Sequence, residues 1–162
     1  QFNFQNLTNV GKQLVITGSG GDDYIRTGGI QTSLNGGAGN DIFEYDLTTL
    51  DASDTVWGGN GTDTVRTFAL FSGTLDTLFP NMLGFETLEL WANGAYDLTV
   101  TDAFMNTTGF TGSVFFVNSN APVGIRIDAT ALTATKALRV STNSGNDTIL
   151  GGAGNDTMIA ST

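Results

Sequence analysis

Gly36-Gly37-Ala38-Gly39-Asn40-Asp41-Ile42-Phe43-Glu44 is the stretch whose reading decides the fold. Its first four residues are glycine or alanine, so successive carbonyls can turn inward without a Cβ in the way. Asp41 adds a charged oxygen to that ring, and Phe43, two places on, is apolar and begins a strand facing a core. Small residues, inward carbonyls and one carboxylate make half of a calcium shell, because this hard cation takes about 6–8 oxygens and one short turn cannot supply them all.

The frame recurs with its aspartate at the sixth place and its apolar residue at the eighth. Gly18-Ser19-Gly20-Gly21-Asp22-Asp23-Tyr24-Ile25-Arg26 and Gly58-Gly59-Asn60-Gly61-Thr62-Asp63-Thr64-Val65-Arg66 match it. So do Thr142-Asn143-Ser144-Gly145-Asn146-Asp147-Thr148-Ile149-Leu150 and Gly151-Gly152-Ala153-Gly154-Asn155-Asp156-Thr157-Met158-Ile159, back to back. Thr49-Leu50-Asp51-Ala52-Ser53-Asp54-Thr55-Val56-Trp57 keeps acids but lacks glycine. Thr27-Gly28-Gly29-Ile30-Gln31-Thr32-Ser33-Leu34-Asn35 keeps the phase and has lost its acid. A fixed period of this kind is the signature of a solenoid.

These residues resemble the RTX nonapeptide repeats, whose pattern GGxGxDxUx (U apolar) is met almost fully at 36–44, 58–66 and 151–159. The resemblance covers 18–66 and 142–159 and leaves out 67–141. It implies an all-β fold, a parallel β-roll or β-helix solenoid with calcium-binding turns, in which two nonads make one coil. Several calcium ions would then sit between each turn and the turn one coil later. On that scheme Asp23 and Asp41 form the first pair, with the acid-free 27–35 nonad on the opposite edge. Asp63 extends the edge if the extra residues at 45–48 bulge out.

The candidate ligands are therefore Gly18, Gly20, Asp22 and Asp23, then Gly36, Gly37, Ala38, Gly39 and Asp41. Asp51 and Asp54 come from the glycine-poor nonad, and Gly58, Gly59, Asn60, Gly61 and Asp63 from the next. At the other end stand Thr142, Ser144 and Asp147, with Gly151, Ala153 and Asp156. Asp22 holds the variable fifth place, where other copies carry Asn40, Asn146 and Asn155, and reads as turn polarity or an auxiliary ligand. Arg26 and Arg66 share the ninth place, beside neighbouring acids.

Sixteen acids against six bases leave a net charge of −10 on 162 residues. About five divalent ions would neutralise it, so the ion-free chain repels itself and the loaded chain does not. So acidic a surface disfavours nucleic acid as a partner. Cysteine and histidine are both absent, which removes disulfides, the common zinc sites, histidine-based triads and the usual base near neutral pH. No apolar run approaches the roughly 20 residues that cross a bilayer, and residues 1–17 lack the regions of a cleaved signal.

The remaining organisation is read from periodicity. Residues 1–17 hold strands, with Leu14-Val15-Ile16-Thr17 in phase as a first rung and Phe2 and Phe4 as a cap or a contact to another subunit. Residues 18–66 form the calcium roll. Residues 67–141 continue the solenoid with longer loops, with strands expected around 85–91, 96–101, 113–117, 123–129 and 137–140, and short helical turns at 102–105 and 130–137. Residues 142–162 return to nonads. Glu86 and Glu89 read as solvent or strand-end charges, since strand residues three apart face opposite sides.

Gly84-Phe85-Glu86-Thr87-Leu88-Glu89-Leu90 is similar to the strand that follows calcium repeats in bacterial surface-layer RTX proteins. The expected function is accordingly a non-catalytic, calcium-stabilised extracellular protein of a bacterial surface layer or filament, self-assembling through its solenoid ends. The alternative is a secretion and folding module of a larger secreted enzyme, toxin or adhesin. Calcium and copies of itself are the expected partners, with attachment at the bacterial cell surface left open and no transmembrane segment.

Overall fold

The structure is a computed structural model that describes residues 2–4, 13–27, 31–45, 53–78, 80–107, 114–120 and 122–160. Its strands run in chain order as β1 (Phe2–Phe4), β2 (Leu14–Thr17), β3 (Tyr24–Thr27), β4 (Thr32–Ala38), β5 (Ile42–Tyr45), β6 (Thr55–Asn60), β7 (Thr64–Thr67) and β8 (Ser72–Thr74). After helix α1 (Leu75–Leu78) come β9 (Met82–Leu83), β10 (Thr87–Leu90) and β11 (Asp97–Thr99). Helix α2 (Asp102–Thr107) leads to β12 (Val114–Ser119), β13 (Arg126–Asp128), β14 (Ala137–Thr142), β15 (Thr148–Leu150) and β16 (Thr157–Ala160).

All strand pairs among the described residues are parallel, and each strand pairs with one a full coil away, which makes the molecule an all-β solenoid. One wall is an eight-stranded sheet, β1-β3-β5-β7-β10-β12-β14-β16. The opposite wall is split into β2-β4-β6-β9 and β8-β11-β13-β15. The split falls after β7, where β8, α1 and β9 give one coil an extra corner. This is the segment that departs from the nonads.

The eighth-place residues stack into the core because parallel pairing in register repeats the same side of the strand at every rung. Ile25, Phe43, Val65, Leu88, Val117, Val140 and Met158 face one another in sequence along the long sheet. The first six are buried, and Phe43 meets Phe85 edge to face at 5.4 Å. Ile16, Leu34, Val56 and Met82 form the facing row, so Leu14–Thr17 is indeed the first rung of its wall. Strand β1 pairs with β3 and covers that edge of the long sheet.

The outer face of the long sheet carries a ladder of alternating charge. Arg26, Glu44, Arg66 and Glu89 stand in register on successive strands. Arg66 Nε donates to Glu89 Oε2 at 2.7 Å, and its guanidinium lies 4.9 Å from the Trp91 ring. Glu89 therefore pairs on the surface as expected for a strand charge. The strands expected in 85–140 all form, and the helix expected at 102–105 is α2. No helix forms at 130–137; backbone turns such as Leu132 N–H to the Ala129 carbonyl occupy that loop.

Candidate metal centre

Three six-residue turns stack along one edge of the roll, 18–23, 36–41 and 58–63, each joining a strand of the short wall to one of the long sheet. The glycine in the first place of each turn leaves no room for a side chain. At Gly36 a Cβ would overlap both Asp41 Oδ2 and the Gly58 carbonyl oxygen; at Gly58 it would overlap the Gly84 carbonyl oxygen and crowd Asp63 Oδ2. At Gly18 it would overlap the Gly36 carbonyl oxygen. Each first-place glycine thus leaves open a cradle in which its own turn's carboxylate and the next coil's carbonyl converge. In the 36–41 and 58–63 turns the second- and fourth-place glycines, Gly37, Gly39, Gly59 and Gly61, all have φ between 104° and 143°, a region that side chains disfavour.

The aspartates link the turns. Asp23 N–H donates to Asp41 Oδ1 at 2.8 Å, and Asp41 N–H donates to Asp63 Oδ1 at 2.8 Å. The same rung recurs on the other edge, where Thr32 N–H donates to Asp54 Oδ1 at 2.7 Å, so the acid-free nonad supplies the amide and the glycine-poor one the carboxylate. Near the C-terminal end Ile125 N–H reaches Asp147 Oδ1 at 3.0 Å, and Leu138 N–H reaches Asp156 Oδ1 at 2.8 Å.

One oxygen of each carboxylate is thereby spent on an amide, and the other decides whether an ion fits. Asp41 and Asp63 are fully buried, and the Oδ2 of each has no hydrogen-bond partner. A buried carboxylate oxygen with no partner is costly, and a cation in the adjoining cradle removes that cost. Among the described residues no three acidic side chains converge, so an ion held here takes most of its shell from main-chain carbonyls. That is chemistry suited to a hard, oxygen-seeking ion such as calcium.

Other turns differ. Asp23 Oδ2 already accepts from Ser19 N–H at 2.7 Å and Ser19 Oγ at 2.9 Å, which holds its pKa below the usual aspartate value. Thr142 stands where the 18–26, 36–44, 58–66 and 151–159 nonads have their first glycine, and its hydroxyl donates to Asp147 Oδ2 at 2.5 Å. Gly151 is crowded by Asp156 Oδ2, and a Cβ there would meet no following-coil carbonyl among the described residues. Gly20 is open on its Cβ side and Ser144 is exposed, while the Ala153 amide donates to the Leu132 carbonyl at 3.0 Å. The Asn60 carbonyl accepts the Gly39 N–H at 2.9 Å, and the Ala38 N–H donates to the Ser19 carbonyl at 3.1 Å. Asp51 lies outside the described residues.

Two contributions escape a motif-based reading. Asp22 is a rung of a second ladder: its Oδ1 accepts the Asn40 N–H at 2.7 Å, and Asn40 Oδ1 in turn accepts the Thr62 N–H at 2.8 Å. The signal was the shared fifth place of Asp22 and Asn40. Glu86 is the other. Its Oε2 accepts the Asp63 N–H at 2.8 Å, continuing the aspartate ladder, so it is not the strand-end charge its surroundings in the sequence suggest.

Burial pushes the Asp63 carboxyl up to about 6, with the charges of Asp41 and Glu86 adding to the rise, and burial also raises Asp41. A raised carboxyl favours the ion-free fold in acid; that contribution is full below the ordinary aspartate value and lost as pH rises through about 6. Calcium must displace the same proton. The ion-free chain should therefore gain β-structure as pH falls from 7 toward 4, while calcium affinity falls over the same interval. Circular dichroism and calcium titration across pH check both slopes, and parallel slopes would refute the assignment of this carboxyl to the ion.

No described helix is long and apolar enough to cross a membrane. No curated protein and no solved structure matches the chain. The profile of the RTX calcium-binding nonapeptide repeat matches at 15–29, 33–47, 46–67 and 139–161, the same stretches that form the stacked turns, and leaves the centre unmatched. The chain therefore carries four copies of the RTX calcium-binding nonapeptide repeat, a repeat that binds calcium, with several ions held across the copies.

Proposed function

We propose that this chain is a non-catalytic structural unit of a bacterial extracellular layer or filament, folded by calcium outside the cell and joined end to end through its solenoid. The observation that carries the reading is the final coil. Met158 continues the core row but is 45% exposed, and Leu150 and Ile159 beside it are exposed as well. Strand β16 is the last member of the long sheet, and its outer edge has no strand on it among the described residues. Asp156 presents a cradle carboxylate there.

A further coil would bury these side chains and pair the strand. The occupant proposed is a second copy, its first rungs β1 and β2 meeting β15 and β16. Contact between unlike ends does not close on itself and so gives a filament or sheet. Carboxylates engaged in amide rungs and ion cradles also have little left for acid or base chemistry, which supports the non-catalytic reading. Light scattering and electron microscopy with millimolar calcium should show elongated assemblies that chelator disperses. Particles that stay monomeric in both conditions would remove self-assembly and favour a folding module within a longer secreted chain.

A further inference from the structure

The first block of repeat matches ends at residue 67, yet the edge it defines does not. Strand β10 pairs with β7 so that Thr87 faces Thr64 and Leu88 faces Val65. This register puts Glu86 over Asp63, as Asp63 stands over Asp41. Gly84 stands over Gly58, because its carbonyl oxygen fills the space where a Gly58 Cβ would lie, as the Gly58 carbonyl does at Gly36. Three residues, Gly84-Phe85-Glu86, therefore cover a turn of six.

The shortening explains the residue types. Gly84 has φ +69°, which lets the chain turn abruptly with its carbonyl aimed at the preceding coil. Phe85 is buried against Phe43 and anchors the turn. The Glu86 N–H donates to the Asp63 carbonyl at 3.2 Å, and its side chain, one methylene longer than aspartate, reaches the Asp63 amide at the same 2.8 Å as the aspartate rungs. Below it Asp63 Oδ2 is buried and without a hydrogen-bond partner.

We propose that Gly84 and Glu86 close a third calcium site on this edge, between the 58–63 nonad turn and a turn that is not a nonad. Asp63 Oδ2 and the Gly84 carbonyl supply oxygens, and Glu86 fixes the Asp63 turn while adding negative charge beside the ion. The site caps the stack, so the ion series ends on a built closure at the start of the unrepeated centre. This rests on the calcium reading of the turns and extends it beyond the repeats.

The test is the number and affinity of calcium ions bound by the full chain, measured by equilibrium dialysis for the parent, Glu86→Gln, Glu86→Ala and the control Glu89→Gln. Glutamine keeps an oxygen for the Asp63 amide and loses only charge, so Glu86→Gln should stay folded and bind one ion roughly tenfold more weakly, since ligand charge sets calcium affinity. Glu86→Ala should bind one ion fewer, and Glu89→Gln should match the parent. If Glu86→Ala does not fold, Glu86→Gln decides. Glu86→Gln binding indistinguishable from the parent overturns the third site and leaves the repeat sites standing. A parent chain that binds no calcium overturns the calcium reading itself.

Discussion

In excess chelator the chain expands from a compact particle to an unfolded one, and its radius of gyration in small-angle X-ray scattering rises from near 15 Å, somewhat more for an elongated roll, toward about 42 Å. The size of the effect follows from the composition of the turns. Ordering a residue costs about 1–2 kcal/mol, and a nonad of nine residues offers one inward apolar side chain, worth about 1.5–3 kcal/mol. Glycine-rich turns lose more freedom than most on ordering. Without the ion, the buried Oδ2 atoms of Asp41 and Asp63 also lack a partner, and a net charge of −10 acts to expand the chain. Metal binding and folding are then one equilibrium. A chelated chain that keeps the compact radius would show that the apolar rows alone hold the coils together.

Asp41→Ala should be the most damaging replacement of a single acid. Asp41 holds the Asp23 amide through Oδ1, lines its own cradle through Oδ2, and gives its own amide to Asp63. Removing it disturbs the ion sites on both sides and leaves the Asp23 amide without its acceptor. The loss at saturating calcium should be about 3–5 kcal/mol, the range for removing one partner of a buried charged pair. Asp156→Ala removes one rung, to Leu138, in a coil that is largely exposed, and should cost about 1 kcal/mol. Asp41→Asn separates the two roles, since an amide oxygen can keep the rung while the charge at the cradle is gone. Chemical denaturation with calcium counting on the monomer measures all three. Equal losses of ions in Asp41→Ala and Asp156→Ala would contradict the stacking order.

The roll was legible because glycine and aspartate at fixed places dictate a backbone path almost without reference to the rest of the chain. The pairing of Asp23 with Asp41 and the placement of the 142–147 and 151–156 turns on opposite edges follow from nonad arithmetic, whereas Asp63, 22 residues after Asp41, joins that edge only once four residues beyond two nonads are allowed for. Ile16 at the first rung follows from the same arithmetic. Glu86 was hidden because its own turn is three residues shorter than a nonad turn, so the phase that identifies the aspartates no longer reaches it; only the in-register pairing of β10 with β7 reveals its place. The Asp22 and Asn40 ladder was hidden for another reason. Its members differ in charge and share only a side-chain oxygen, which a motif built on the sixth-place acid does not record. Between 67 and 141 the strands were visible as apolar alternation, whereas the change from one short wall to the other depends on the coil of β8, α1 and β9, which has no period to read.

The central claim is that ions and coils form together, and a calcium titration from the chelated state tests it most directly when circular dichroism and free calcium are followed in one sample. The predicted result is a single cooperative step in which the β-signal and the bound ions rise at the same calcium concentration. A full β-signal before any ion is bound, followed by independent filling of preformed turns, would contradict it.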